Sequence, residues 1–162
     1  MKKTPLQDYF LPFGETCFGC GGHNQHGLRI KSFEEGEEVI CDWTPAPHHM
    51  AGPGFVNGGV LATLIDCHAA ITAGTAALRA EGKVPGETPP ALFVTASLKV
   101  DYLRPTRLDA PIHLRARAIQ QTERKTIITC ELFSGGPLSA GGVESARGEG
   151  VFVRVDPGKL GQ

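Results

Sequence analysis

The hydrophobic and polar positions of this chain change period along its length. From Phe55 to Leu78 apolar residues run almost unbroken, FVNGGVLATLIDCHAAITAGTAAL, and Asp66 is the only formally charged side chain among them. The run is too long for a strand and predicts one helix from about Gly58 to about Ala80, ending near Gly82, with Asn57 as its N-cap. A helix apolar on nearly every face needs other elements wrapped around it. On either side the period shortens to two. Leu28 to Phe33 and Glu38 to Trp43 predict two strands about a turn at Glu34-Glu35-Gly36-Glu37. Beyond the helix and a loop broken by Pro85, Gly86, Pro89 and Pro90, Val94, Ala96, Leu98, Val100 and Tyr102 alternate with Thr95, Ser97, Lys99 and Asp101. Ile112 to Ile119, Thr126 to Phe133 and Glu144 to Val155 predict three further strands, the last two separated by the loop SGGPLSAGG.

Two strands, one helix and four strands predict an α+β domain in which one antiparallel sheet curls around a central helix. No helices alternate with the later strands, which excludes a doubly wound parallel sheet. Residues 1–16, broken by Pro5, Pro12 and Gly14, read as an arm on the surface; 17–157 read as a single domain and 158–162 as a tail. One sheet around one helix leaves edges and faces that pair with a second copy. Composition narrows the class. A length of 162 residues, 41% hydrophobic and 20% charged, fits one ordinary globular core. The net charge of −1 argues against nucleic acid or an acidic membrane as partner. Five cysteines, an odd count, argue against a closed disulfide framework and for reduced thiols in the cytoplasm. MKKTPLQDYF lacks the apolar stretch of a secretory signal. The long apolar run is rich in Ala, Thr and Gly and carries Asn57, Asp66 and His68, so it reads as a buried helix rather than a membrane span.

Asp66 carries the chemistry. A carboxylate in an apolar segment is costly unless it is paired, hydrogen-bonded or reactive. Gly58 and Gly59 at the helix start expose backbone N–H groups able to hold a developing oxyanion. A base and an oxyanion site are the minimum for acyl hydrolysis. Arg104, Arg107, Arg124 and Lys125 lie beside strand ends, where they either hold scattered phosphates or form a solvated rim. Cys17-x-x-Cys20 with His23 and His26 crowds four potential ligands into ten residues, unlike the two separated pairs of a zinc module, and reads as a structural turn with no metal bound. Cys67 and His68 are helix neighbours that do not face each other, and read as core or interface residues. No GxSxG elbow is present, and SGGPLSAGG lacks the ending of a phosphate loop.

Four segments, CFGCGGHNQHGL, HMAGPGFVNGGVLATLID, TASLKVDYLRP and ARGEGVFVRV, together resemble hotdog-fold acyl-CoA thioesterases of the phenylacetyl-CoA-pathway and 4-hydroxybenzoyl-CoA thioesterase type. The resemblance runs from about Cys17 to Val155, and the middle two segments are the specific ones. It implies a hotdog fold, a homodimer or dimer of dimers, and hydrolysis of an acyl-CoA with neither metal nor organic cofactor. The family's Gly-Gly pair falls on Gly58-Gly59 and its acid on Asp66, while its usual histidine is replaced by Asn57. Its strand hydroxyl falls on Thr95, its polar residue upstream of the glycines on His49, and its basic loop residue on Lys125, beside Arg124. In that frame Asp66, Gly58 and Thr95 are catalytic, and His49, Asn57, Gly59, Arg104, Arg124 and Lys125 bind substrate. Asp66 would activate water as general base or attack as nucleophile. The thiol leaves readily, with a pKa of about 8.5. Gly58 and Asp66 are eight residues apart, about 12 Å along a helix, so a site using both draws them from two subunits. The rival readings are a hotdog hydratase or dehydratase, which needs a catalytic histidine, and an acyl-CoA-binding protein without activity.

Overall fold

The computed structural model describes residues 3–10, 13–87 and 91–159; the expected breakers Pro12, Pro89 and Pro90 and the end of the tail lie outside them. Six strands form one antiparallel sheet: β1 (Phe33–Glu35), β2 (Glu38–Trp43), β3 (Leu92–Tyr102), β4 (Ile112–Gln121), β5 (Lys125–Ser134) and β6 (Val143–Val155), in the order β1-β2-β4-β5-β6-β3. One long helix, α1 (Gly58–Ala80), packs against the sheet, as the period change predicts. Leu64, Ile65 and Ala73 of α1 are completely enclosed against Leu114, Ile128, Leu132 and Phe152 of the strands. Each such Leu or Ile contributes roughly 1.5–3 kcal/mol by leaving water. This burial settles α1 as a core helix despite its membrane-like length.

Both ends of α1 are closed by local chemistry. The Asn57 side chain accepts the Gly59 N–H at 2.8 Å, an N-cap. At the other end Gly82 adopts a left-handed φ of +67°, and Lys83 N–H reaches back to the Leu78 carbonyl at 2.9 Å. Arg79 then ties the last turn to Glu34 of β1 at 2.6 Å.

Two expectations are corrected. Leu28 to Ser32 do not join the sheet; the first strand is only Phe33–Glu35. Their backbone groups are used elsewhere: Leu28 N–H donates to Phe18 O, Ile30 N–H to Gly19 O, and Ser32 O accepts from Leu6 N–H. The alternation there reflects packing against the cysteine knuckle and the arm rather than a ladder. The arm, in turn, is not wholly on the surface. Leu6 and Phe10 are buried with Val39 and Ile71 in a second small core.

A bulge in β3 positions the site. Thr95 pairs with Phe152 and Ser97 with Val151, so Ala96 is an extra residue in the ladder. Simple alternation would put Thr95 on the opposite face from Leu98. The bulge reverses the phase, so Phe93 and Thr95 face α1 and, beyond it, Leu98, Val100 and Tyr102 face α1 as well.

Candidate active site

Asp66 is half-buried on α1, with Ala62, Thr63 and Ala70 at one-turn spacings, where the edge strand β3 reaches it. Thr95 Oγ1 donates to Asp66 Oδ1 at 2.6 Å. The hydroxyl fixes one carboxylate oxygen and leaves Oδ2 for a water or a substrate. An apolar cavity of about 260 Å³ is lined by Ala70, Ile71, Leu92 and Phe93 among others. Ala70 is one helical turn from Asp66 and Phe93 two strand residues from Thr95, while neither Asp66 nor Thr95 lines the cavity itself.

The other end of the site is the start of α1. The cap consumes the Gly59 N–H. The Gly58 N–H has no acceptor among the described residues and is free to donate to a bound group. Tyr102 Oη donates to Gly58 O at 2.8 Å and anchors that turn to the end of β3. The sequence places Tyr102 in an inward-facing row but offers no signal for this bond. His49 supports the same turn: its carbonyl accepts Asn57 N–H at 2.8 Å, its Nδ1 accepts Ala46 N–H at 2.9 Å, and its ring rests 4.9 Å from that of Trp43. Burial, reinforced by His48, lowers the His49 pKa and favours the neutral ring that this acceptor role requires.

Within one chain the sequence-derived residues therefore form two groups. Asp66 and Thr95 touch; Gly58, Gly59, Asn57 and His49 cluster at the helix start, about two turns of α1 away. The basic residues are divided as well. Arg104 follows Tyr102 and donates to the Glu144 carbonyl at 3.0 Å. Arg124 and Lys125 sit at the β4–β5 turn, beside the far end of α1, where Arg124 shares a surface hollow with Glu81 and Arg154. A single chain does not bring Arg124 or Lys125 to Asp66. His23 and His26 do not join Cys17 and Cys20: His23 Nδ1 contacts Glu15 at 3.0 Å, and His26 is exposed.

Comparison with known proteins locates this arrangement. The profile of the thioesterase superfamily matches residues 53–140, more than half of the chain. The acyl-coenzyme A thioesterase THEM4 of Rattus norvegicus is 28% identical over 123 residues, which are 76% of this chain and 46% of the rat protein. The chain spans less than half the length of the curated relatives it matches. Among solved structures, a thioesterase superfamily protein from Shewanella loihica PV-4 is 35% identical with a TM-score of 0.62, covering 83% of this chain and 98% of that one. The E. coli PaaI protein, from the phenylacetic acid degradation operon, shares the fold at a TM-score of 0.63 and 16% identity, over 80% of this chain and 81% of its own. By profile, sequence and fold together, the chain belongs to the thioesterase superfamily, with a hotdog sheet wrapped around its central helix.

Proposed function

We propose that this protein hydrolyses acyl-CoA thioesters, with Asp66 as general base or nucleophile, Thr95 holding the carboxylate, and the Gly58 N–H of a second subunit binding the oxyanion. The observation that carries this reading is the Thr95–Asp66 bond on a half-buried helix face of small residues. Thr95 hydrogen-bonds Asp66, and among the described residues no cation pairs with it, which leaves its charge available for chemistry. The thioesterase name borne by the rat relative supports the same chemistry.

The second subunit follows from symmetry. β3 is an edge strand, so its outer backbone groups are available to another strand. Thr95 marks the position of Asp66, and Tyr102 marks that of Gly58. If two β3 strands pair antiparallel about a two-fold axis midway between them, near Leu98 and Lys99, Tyr102 of one falls opposite Thr95 of the other. That register carries the partner's helix start to the carboxylate, giving two equivalent sites per dimer. It also places basic residues from opposite ends of two chains around one site, where coenzyme A phosphates would bind Arg104, Arg124 and Lys125. The acyl group would occupy the cavity beside Ala70 and Phe93. The reaction needs no metal or organic cofactor, because a thiolate leaves without a strong acid. Nothing in it calls for nucleic acid or a membrane, and the free thiols suit the reducing cytoplasm. Dimers could pair further into a dimer of dimers.

Thiol release from a panel of aryl- and fatty-acyl-CoAs tests this. Turnover by the wild type that collapses in Asp66→Asn and Asp66→Ala supports it and names the acyl class. Folded wild type that binds acyl-CoA without turnover would make this a binding protein. Hydration of an enoyl-CoA without thiol release would make it a hydratase.

A further inference from the structure

Three thiols outside the reaction meet between the knuckle and α1. The Sγ atoms of Cys17, Cys20 and Cys67 all lie within 4.8 Å of one another, and Cys17 Sγ is 3.7 Å from Cys67 Sγ. The knuckle is shaped to allow this. A Cβ on Gly19 would collide with Cys67 Sγ, and one on Gly21 would strike the Cys17 backbone. Gly21 N–H closes the turn on Cys17 O at 2.9 Å. The thiols of Cys17 and Cys67 are within sulfur hydrogen-bond reach of each other, and either can donate. Lys31, paired with Asp8 at 2.8 Å, faces the same hollow as Cys20.

This is the arrangement of a coordination triangle. Zn–S bonds of about 2.3 Å in a tetrahedral site set sulfur atoms about 3.8 Å apart, whereas a disulfide brings them to about 2.0 Å. Thiolate donors select zinc and other soft ions over magnesium or calcium. The Cys-x-x-Cys pair supplies two ligands from one turn, and the third comes from a helix 50 residues away. All three also line the apolar cavity of about 260 Å³ with Phe10, Phe13 and Phe93, which leaves a fourth position facing that space.

We propose that Cys17, Cys20 and Cys67 form a three-thiolate site for a soft divalent cation, zinc(II), that fastens the N-terminal knuckle to α1. Loading exchanges the ion for the thiol protons, which pass to solvent, and no electron is transferred. The role is structural, although the three cysteines also line the cavity assigned to the acyl group and Cys67 is the next residue after Asp66 on the helix.

Protein stripped of metal with a chelator, under a non-thiol reductant, is titrated with cobalt(II) and then with zinc(II). The expected result is one cobalt per chain, with thiolate-to-cobalt charge-transfer absorption and the ligand-field bands of a four-coordinate ion, both displaced by zinc. Zinc should raise the Tm of the wild type. Cys17→Ser, Cys20→Ser and Cys67→Ser should each lose the charge-transfer band and the rise in Tm, and His23→Ala should keep both. The site is overturned if folded wild type gives no thiolate-to-cobalt band, if the band survives Cys67→Ser, or if it disappears in His23→Ala. It is equally overturned if the reduced protein takes up no metal and air simply joins Cys17 to Cys67. Should Cys67→Ser fail to fold, the wild-type band intensity, which counts thiolate ligands, decides between three thiolates and fewer.

Discussion

Asp66 and Thr95 can be separated by conservative substitutions. Asp66→Asn keeps an oxygen to accept the Thr95 hydroxyl at its present 2.6 Å contact, so the fold should survive while the base is lost. A fall in kcat of about 10²–10⁴-fold is expected for removal of a positioned general base. Thr95→Val removes only the donor and should cost about tenfold, or about 1.4 kcal/mol of transition-state stabilisation, while Thr95→Ser retains most of the rate. Thiol-release kinetics on the four proteins check both; a Thr95→Val enzyme as fast as wild type would reduce Thr95 to an ordinary strand residue. Asp66 itself is legible in the sequence, because a lone carboxylate in a long apolar run is too costly to keep unless it is paired or reactive. Thr95 is not. Plain alternation assigns it to the row opposite Leu98, and only the family resemblance points to it. The extra residue at Ala96, which turns it inward, leaves no mark in the hydrophobic pattern.

At the scale of elements, α1 is joined to its neighbours by polar contacts as well as by its apolar faces. His68 is fully buried, its Nε2–H donating to Val39 O at 2.9 Å and its Nδ1 accepting from Ser32 Oγ at 2.8 Å. Gln7 completes the chain by donating from Nε2 to Ser32 Oγ at 2.8 Å, and so links the arm, the segment before β1, and α1. Burial above all holds the ring down to about 4. The ring is therefore neutral in the fold, whereas in the unfolded chain it gains a proton below about pH 6.5. Its contribution is complete above that pH, shrinks as pH falls from about 6.5 to about 4, and then levels off, a loss of about 3 kcal/mol by order of magnitude. Urea unfolding at pH 7 and pH 4.5 should show a smaller drop for His68→Gln than for wild type; equal drops would assign acid sensitivity to other groups. Asn57→Ala should cost about 1 kcal/mol by removing the cap on Gly59, and Asn57→Ser should restore most of it in the same assay. The bounds of α1, β2 and the last four strands are close to those the periodicity predicts, since each has a long, regular pattern. The segment Leu28 to Ser32 misleads because its alternating residues pack against non-local loops, and alternation does not reveal which backbone groups are already engaged.

At the scale of the molecule, the sequence conveys the sheet, the helix and the separation of Gly58 from Asp66, and from these the expectation of a second copy, but no pattern states the register in which two copies would meet. Mixing two inactive variants reads that register out in solution. Let one chain carry a bulky residue, Gly58→Val, and the other Asp66→Asn. If each site takes Gly58 from one subunit and Asp66 from its partner, a mixed dimer has one site with both defects and one with none. Random exchange makes half of the dimers mixed, so the mixture should recover about one quarter of wild-type activity from two nearly inactive proteins. If both groups acted within one chain, every site in a mixed dimer would carry one defect and no activity would return. A proline at Lys99, on the outer edge of β3 near the expected axis, should weaken the pairing and abolish the recovered rate together with the dimer seen by analytical ultracentrifugation. Loss of activity with the dimer intact would place the defect inside the subunit instead. Return of activity that persists in the monomeric proline variant would contradict the shared site outright, because a monomer holds its own Gly58 about 12 Å of helix away from Asp66.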